Sequence, residues 1–228
     1  MTINQITLES IEKVAFALGE LNKEVVFVGG AVVSLYVTDA FADEFRPTKD
    51  IDITFRIVSF AKLERLREEL VSKGFKQNIF EDVICRFQFE DILVDVMSTQ
   101  PIAWAPANRW FDEGFNHLEE IKVGKQVINI LSLPFFLATK FDAHADRGGS
   151  DARMSKDFED IIYLLNHASN LETLISDAPS KLKDYLLSEF ADILQNDVKQ
   201  EAILANMPYN FQMERYETII KKLKNIIK

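Results

Sequence analysis

The chain of 228 residues carries 36 acidic against 26 basic side chains, a formal net charge of −10, and 47% of it is hydrophobic. That length holds one large domain or two small ones around an ample core, and the acidic balance argues against a protein that coats nucleic acid over its whole surface, since such binding comes from neutralising phosphates with Lys and Arg. No stretch approaches the roughly 20 apolar residues of a membrane span, the first residues lack the basic and apolar regions of a leader, and the lone Cys85 rules out an internal disulfide and a cysteine-built metal site, so the expected address is cytoplasmic, without a membrane partner.

Leu8, Ile11, Val14, Ala15, Leu18 and Leu21 recur at helical spacing behind Thr7, a good N-cap, and predict a helix over 8–21. Val25 to Val28 reads as a short buried strand, Gly29-Gly30 as a tight turn, and residues 31–37 as a helix starting there. Residues 38–49, with Asp39, Asp43, Glu44, Arg46 and Pro47, suit a loop leading into a strand over 50–55. Ser59 caps a helix whose apolar face is Phe60, Leu63, Leu66 and Leu70 and which Gly74 ends. Two β runs, 83–89 and 92–97, are separated only by Glu90-Asp91 and form a hairpin. Cys85 lies in the first as a small buried side chain.

A loop over 98–116, rich in Pro, Trp and Asn, precedes a second hairpin, 118–123 and 126–131, turning at Gly124. From Ser132 helical spacing takes over, which places a boundary near residue 131: an α/β domain over 1–131 and a helical domain over 132–228. Ser132 and Pro134 start one helix that Gly148-Gly149 stops, and Ser155 caps the next, over 156–165. The rest, 171–227, reads as three more amphipathic helices broken near Pro179, Asn196 and Pro208.

The chemistry concentrates on the run from Arg46 to Phe55. Side chains on a strand alternate faces, so Asp50 and Asp52 share one, roughly 6 to 7 Å apart at a rise of ~3.3 Å per residue. A third acid, Asp95, sits between Val94 and Val96, where an isolated carboxylate is costly unless paired or metal-bound. If its strand neighbours that of Asp50 and Asp52, three carboxylates converge. Such an oxygen set suits Mg²⁺ or Mn²⁺ and the in-line displacement of a nucleotidyl group. The alternative is an acid pair on a solvated strand edge. Gly29-Gly30 offers unhindered backbone N–H groups at a helix start, a cradle for phosphates, or is simply a tight turn; Ser34 lies one helical turn further on. Lys140 and Arg147, seven apart, share a helix face and can clamp a phosphate. Asp157 and Asp160 share a face of the next helix.

His117, His144 and His167 lack zinc-type spacing and read as structural or surface residues. Trp104 and Trp110, in a long loop, either flank a base or acceptor or bury the hairpin sheet.

The order strand, Gly-Gly, helix, loop, Asp-x-Asp strand and later strand Asp resembles the polymerase-β-type nucleotidyltransferase superfamily. Within it, Gly29, Gly30, Arg46, Thr48, Lys49, Asp50, Asp52, Asp95, Lys140, Arg147, Lys156, Asp157 and Asp160 resemble the motifs of the AbiEii-type nucleotidyltransferases, toxins of type IV toxin–antitoxin and abortive-infection systems. The resemblance spans roughly residues 25 to 165. It implies an α+β fold, in which a nucleotidyltransferase domain with a mixed sheet flanked by helices is followed by a helical bundle. It also implies a metal-dependent enzyme that moves a nucleoside monophosphate from a nucleoside triphosphate to an RNA or protein acceptor, with a cognate antitoxin as a further partner. Asp50, Asp52 and Asp95 would hold the metal. Gly29, Gly30, Ser34, Lys49, Lys140 and Arg147 would seat the triphosphate, with Lys140 and Asp157 joining the acids in catalysis. Ala31 departs from the family, where many relatives have a hydroxyl residue. That leaves room for a catalytically silent module that binds a nucleotide or a partner protein, and the acidic surface is compatible with a further alternative, transfer to a small molecule such as an aminoglycoside.

Overall fold

Val25–Val28 forms strand β1 with all four side chains buried, so both of its faces are covered; it is an interior strand, antiparallel to β2 (Asp50–Phe55) and parallel to β7 (Gln126–Leu131). A strand enclosed in this way reads as an unbroken apolar run. The computed structural model describes residues 5–37, 42, 45–77, 85–147 and 151–228. Over these, the sheet has seven strands in the order β3-β4-β5-β2-β1-β7-β6, with β3 Lys76–Gln77, β4 Arg86–Phe89, β5 Ile92–Ser98 and β6 Leu118–Val123. It is mixed: β2 with β5 and β1 with β7 are parallel, and the other pairs are antiparallel. The two expected hairpins are the β4–β5 and β6–β7 pairs. Of the first run, Val83 and Ile84 lie outside the described residues, as do Asp39, Asp43 and Glu44 of the expected loop and the Gly148-Gly149 stop.

Helix α1 (Leu8–Leu18) starts where Thr7 accepts from the Ser10 amide, and buries Ile11, Val14, Ala15 and Leu18. Its Glu12 carboxylate accepts the Lys125 amide at 2.7 Å, which fixes the β6–β7 turn beside Gly124. Helix α2 (Phe60–Ser72) is capped by Ser59. The expected helix after the Gly-Gly turn is instead a 3₁₀ helix, Gly30–Tyr36. Seven residues that include adjacent β-branched Val32 and Val33 gain little from an α-helical start, and the tighter 3₁₀ form is usual in short connectors. The 98–116 loop contains one short helix, α3 (Phe111–Gly114), and buries Trp110.

The chain divides into two compact units, one of Met1–Ser34 with Arg46–Ser132, the other of Leu35–Phe45 with Leu133–Lys228. The sheet, α1, α2 and α3 belong to the first. The second is helical: α4 Leu133–Arg147, α5 Lys156–His167, α6 Leu171–Ser176, α7 Ser180–Gln195, α8 Asp197–Ala205 and α9 Gln212–Ile226. Four helices, not three, follow residue 170, since three breaks bound four segments and the six-residue α6 stands as one of them. A core of Phe136, Phe141, Phe158 and Phe190 runs through this unit. Among the described residues no helix is long and apolar enough to cross a membrane.

Candidate active site

The β2–β5 register sets Asp52 beside Asp95, and the β4–β5 register sets Arg86 beside Asp95. Three neighbouring strands thus place Arg86, Asp95 and Asp52 in one row. Asp50, two residues before Asp52, shares its face, and both are half-buried while the intervening Ile51 is fully buried. The convergence of the Asp95 strand on the Asp50-Asp52 strand is therefore a property of the sheet.

Arg86 occupies the middle of the acids. Its Nε donates to Asp95 Oδ1 at 2.7 Å and its Nη2 to Asp95 Oδ2 at 2.8 Å, while Nη2 also donates to Asp50 Oδ2 at 2.8 Å. The paired fork on Asp95 is the stronger arrangement, because two parallel charge-assisted bonds fix the guanidinium plane. Beside this cluster the Cys85 thiol, buried and facing the negative charges of Asp95 and Asp52, is pushed up to about 11. It stays protonated at neutral pH and is a packed side chain, not a nucleophile.

The two glycines have a steric reason. Gly29 has φ +71°, and a Cβ there would overlap the Asp52 carboxylate. A Cβ on Gly30 would come within 2.8 Å of Thr48 Cγ2 and 3.1 Å of Arg46 Nη2. The turn therefore lies directly against the acid on one side and the Arg46-Thr48 segment on the other. Thr48 is buried, and its carbonyl accepts the Ile6 amide at 3.0 Å. Ser34 is half-buried in the 3₁₀ helix, and Lys49 is exposed.

Asp50 and Asp52 offer carboxylate oxygens, the donor type that Mg²⁺ or Mn²⁺ requires. The pair is reachable from solvent, with the Asp50 side chain 35% exposed. The residues therefore fit a divalent cation in type and placement. Among the described residues, however, no three acidic, histidine or cysteine side chains form a ready-made metal cage. Arg86 stands as a cation among these acids.

In the helical unit Lys140 is buried at 4% exposure, its ammonium 2.7 Å from Asp160 Oδ2 and 3.3 Å from Asp157 Oδ1. Arg147, whose side chain is 67% exposed, reaches back from the end of α4 to Asp157 Oδ2 at 2.9 Å. Burial pushes the Asp157 carboxyl up, and the Arg147 guanidinium with the Lys140 ammonium outweighs it, holding Asp157 below the ordinary carboxylate range. Two helical turns thus bring both cations of α4 onto the first turn of α5, where Ser155 caps the helix by accepting the Phe158 amide. Ser155 also bonds His144 Nδ1 at 2.8 Å; burial and then Lys199 lower the His144 pKa. In the sheet unit, Trp104 donates to Glu64 Oε1 at 2.9 Å on α2, and Trp110 is core.

Arg86 is the site residue that the motif reading does not single out. The signal for it is present: with Glu90-Asp91 as the two-residue turn, a regular hairpin places Arg86 opposite Asp95.

A family model described as nucleotidyl transferase AbiEii toxin, type IV TA system, matches residues 14–225. No curated protein matches the sequence significantly. Among solved structures, an antigenic nucleotidyltransferase-like protein from Paracoccidioides brasiliensis is similar over 92% of this chain and 100% of that one, at 15% identity and a TM-score of 0.51. At that identity the likeness concerns the fold, a nucleotidyltransferase-like sheet with flanking helices. The antibiotic-resistance factor ANT(2'')-Ia aligns over 96% of this chain and 91% of that one, at 13% identity and a TM-score of 0.42, a likeness too slight to bear on substrate.

Proposed function

The chain belongs to the AbiEii nucleotidyl transferase toxin family, and we propose that it transfers a nucleoside monophosphate from a nucleoside triphosphate to a hydroxyl of an RNA or protein acceptor, with Asp50 and Asp52 as ligands of a divalent cation. The observation that carries this reading is the row of Asp52 and Asp95 on adjacent parallel strands, with Asp50 on the same face and the Gly29 turn against Asp52.

In the proposed reaction the acceptor hydroxyl oxygen forms a bond to the α-phosphorus, the bond from that phosphorus to the bridging oxygen breaks, and pyrophosphate leaves with the electron pair. A bound Mg²⁺ or Mn²⁺ supplies Lewis-acid polarisation of the reacting phosphate and stabilises the charge that develops on the leaving oxygen. Asp50 and Asp52 hold that cation from one face of β2. Asp95, next to Asp52, is the third ligand or takes the proton of the attacking hydroxyl. Gly29 and Gly30 let the chain pass directly against Asp52, Thr48 and Arg46, where any side chain would collide, and their backbone N–H groups are assigned to the phosphates. Ser34 and Lys49 are assigned to the triphosphate. In the helical unit Arg147 offers a solvent-facing guanidinium suited to an anionic phosphate. Lys140, whose ammonium is engaged by two carboxylates, orients Asp157 and hence Arg147. A cognate antitoxin is the family's implied partner, and the proposed role is growth arrest.

Incubating the purified chain with each of the four triphosphates, radiolabelled at the α-phosphorus, and with total cellular RNA and protein tests this directly. Label should enter one acceptor class with Mg²⁺ or Mn²⁺ and fail to enter it in Asp50→Ala and Asp52→Ala. Full transfer by either folded variant would overturn the assignment. Growth arrest on expression, relieved by Asp52→Ala, is the matching result in cells; protection against an aminoglycoside would instead indicate a small-molecule acceptor.

A further inference from the structure

Three carboxylates on two adjacent strands repel one another, and neighbouring like charges destabilise a sheet unless a counter-charge is built in. The geometry points to Arg86 as that counter-charge: a resident cation of the Asp50, Asp52 and Asp95 cluster, which a divalent ion must displace from Asp50 in order to load. The inference rests on the reading of Asp50 and Asp52 as cation ligands and deepens it.

The Arg86 side chain is only 19% exposed and the Asp95 side chain 11%, so their fork is largely withdrawn from water, whereas Asp50 is 35% exposed. Both Asp95 oxygens are taken by separate Arg86 nitrogens, while Asp50 receives a single bond, from the second N–H of Nη2. The Asp50 link is thus the single-point, more solvent-facing half of the arrangement, and it is the half that breaks first. An ion held by Asp50 and Asp52 takes the Asp50 oxygen from Arg86, while Asp95 retains the guanidinium beside the site. Arg86 therefore sets the affinity of the metal-free chain for its cation, keeping it lower than that of a bare acid cluster. It is a positioning residue, since its effect on the reaction passes through the acids.

The test is titration of the full chain with Mn²⁺, without nucleotide, reading free Mn²⁺ by electron paramagnetic resonance. Arg86→Gln, which keeps hydrogen-bonding capacity and removes the charge, should bind Mn²⁺ about tenfold more tightly than the wild-type chain, since one positive charge at contact distance from a ligand is removed. Its metal-free form should melt lower, and Mn²⁺ should raise its melting temperature more than it raises that of the wild type. Arg86→Lys, which keeps the charge but not the fork, should fall between the two, and carries the test if the Gln variant does not fold. Asp52→Asn should abolish binding in each background. Equal or weaker Mn²⁺ binding by the Arg86 variants, with binding still lost in Asp52→Asn, overturns the role of Arg86 while the cation site stands. Mn²⁺ binding that is absent, or indifferent to Asp52→Asn, overturns both.

Discussion

Lys140→Met removes an ammonium from a buried ionic cluster of the helical unit while keeping most of the side-chain stem. Lys140 lies 2.7 Å from Asp160 and 3.3 Å from Asp157, with side-chain exposures of 6%, 0% and 8%. Removing one partner of a buried pair costs about 3 to 5 kcal/mol, because the charge left behind stays desolvated without compensation. Here Arg147 still serves Asp157, which places the expected loss near the lower end, about 3 kcal/mol. Asp160→Asn removes one charge-assisted bond and leaves Lys140 its contact with Asp157, an expected loss of about 2 kcal/mol. Combining the two removes the ammonium together with one of the two carboxylates it engages. The double variant should therefore cost less than the singles added together, by about 1 kcal/mol or more. Urea unfolding of the full chain, followed by far-ultraviolet circular dichroism, measures each corner of the cycle. A Lys140→Met variant within about 0.5 kcal/mol of the wild type, or losses that add to within about 0.3 kcal/mol, would show that the ammonium and the two carboxylates are not coupled.

Gly29→Ala should abolish nucleotide transfer as thoroughly as Asp52→Ala, since its Cβ would overlap the Asp52 carboxylate. Gly74→Ala is the control: φ is +94° there but the nearest atom, on Phe89, is 3.8 Å away, so a melting-temperature loss worth about 1 to 2 kcal/mol with unchanged transfer is expected. Asp157, held below the ordinary carboxylate range, contributes stability that is present above its unfolded pKa, about 4, and is lost as pH falls through its lower folded value. Melting temperatures in acid should therefore fall less steeply for Asp157→Asn than for the wild type, and equal slopes would count against the Arg147 and Lys140 contacts. Cys85, with its pKa pushed up to about 11, should resist iodoacetamide at neutral pH in the folded chain and react promptly once unfolded; fast labelling of the folded chain would contradict its burial beside the acids.

Much of the sheet is legible because its strands announce themselves chemically. Val25 to Val28 is an unbroken apolar run, the β4–β5 and β6–β7 hairpins are marked by short polar or glycine turns, and Thr7, Ser59 and Ser155 cap the helices their spacing predicts. The Asp50-x-Asp52 pattern carries its own face assignment, because strand periodicity is local. That Asp95 stands beside Asp52 is a long-range pairing that periodicity alone leaves open, and the parallel β2–β5 register supplies it. The two-residue β3 is too short for any alternation to register. The 3₁₀ form of Gly30–Tyr36 is a matter of context, since its apolar residues fit either helix and its confinement after a strand decides. Arg86 is hidden for a different reason: an arginine in an amphipathic strand looks like a solvated residue until the hairpin register puts it against an acid. Lys140 shows the converse, a basic residue whose spacing suggests a phosphate clamp but whose ammonium lies buried between two carboxylates.

Whether Asp50 and Asp52 anchor nucleotidyl transfer is decided by running one triphosphate in two labelled forms. The chain is given the triphosphate labelled at the α-phosphorus or at the γ-phosphorus, with Mg²⁺ and the responsive acceptor, beside folded Asp52→Ala. The α label should enter the acceptor, the γ label should be released as pyrophosphate, and Asp52→Ala should transfer neither. Retention of the γ label on the acceptor, or undiminished α-label transfer by Asp52→Ala, would contradict nucleotidyl transfer anchored on these acids.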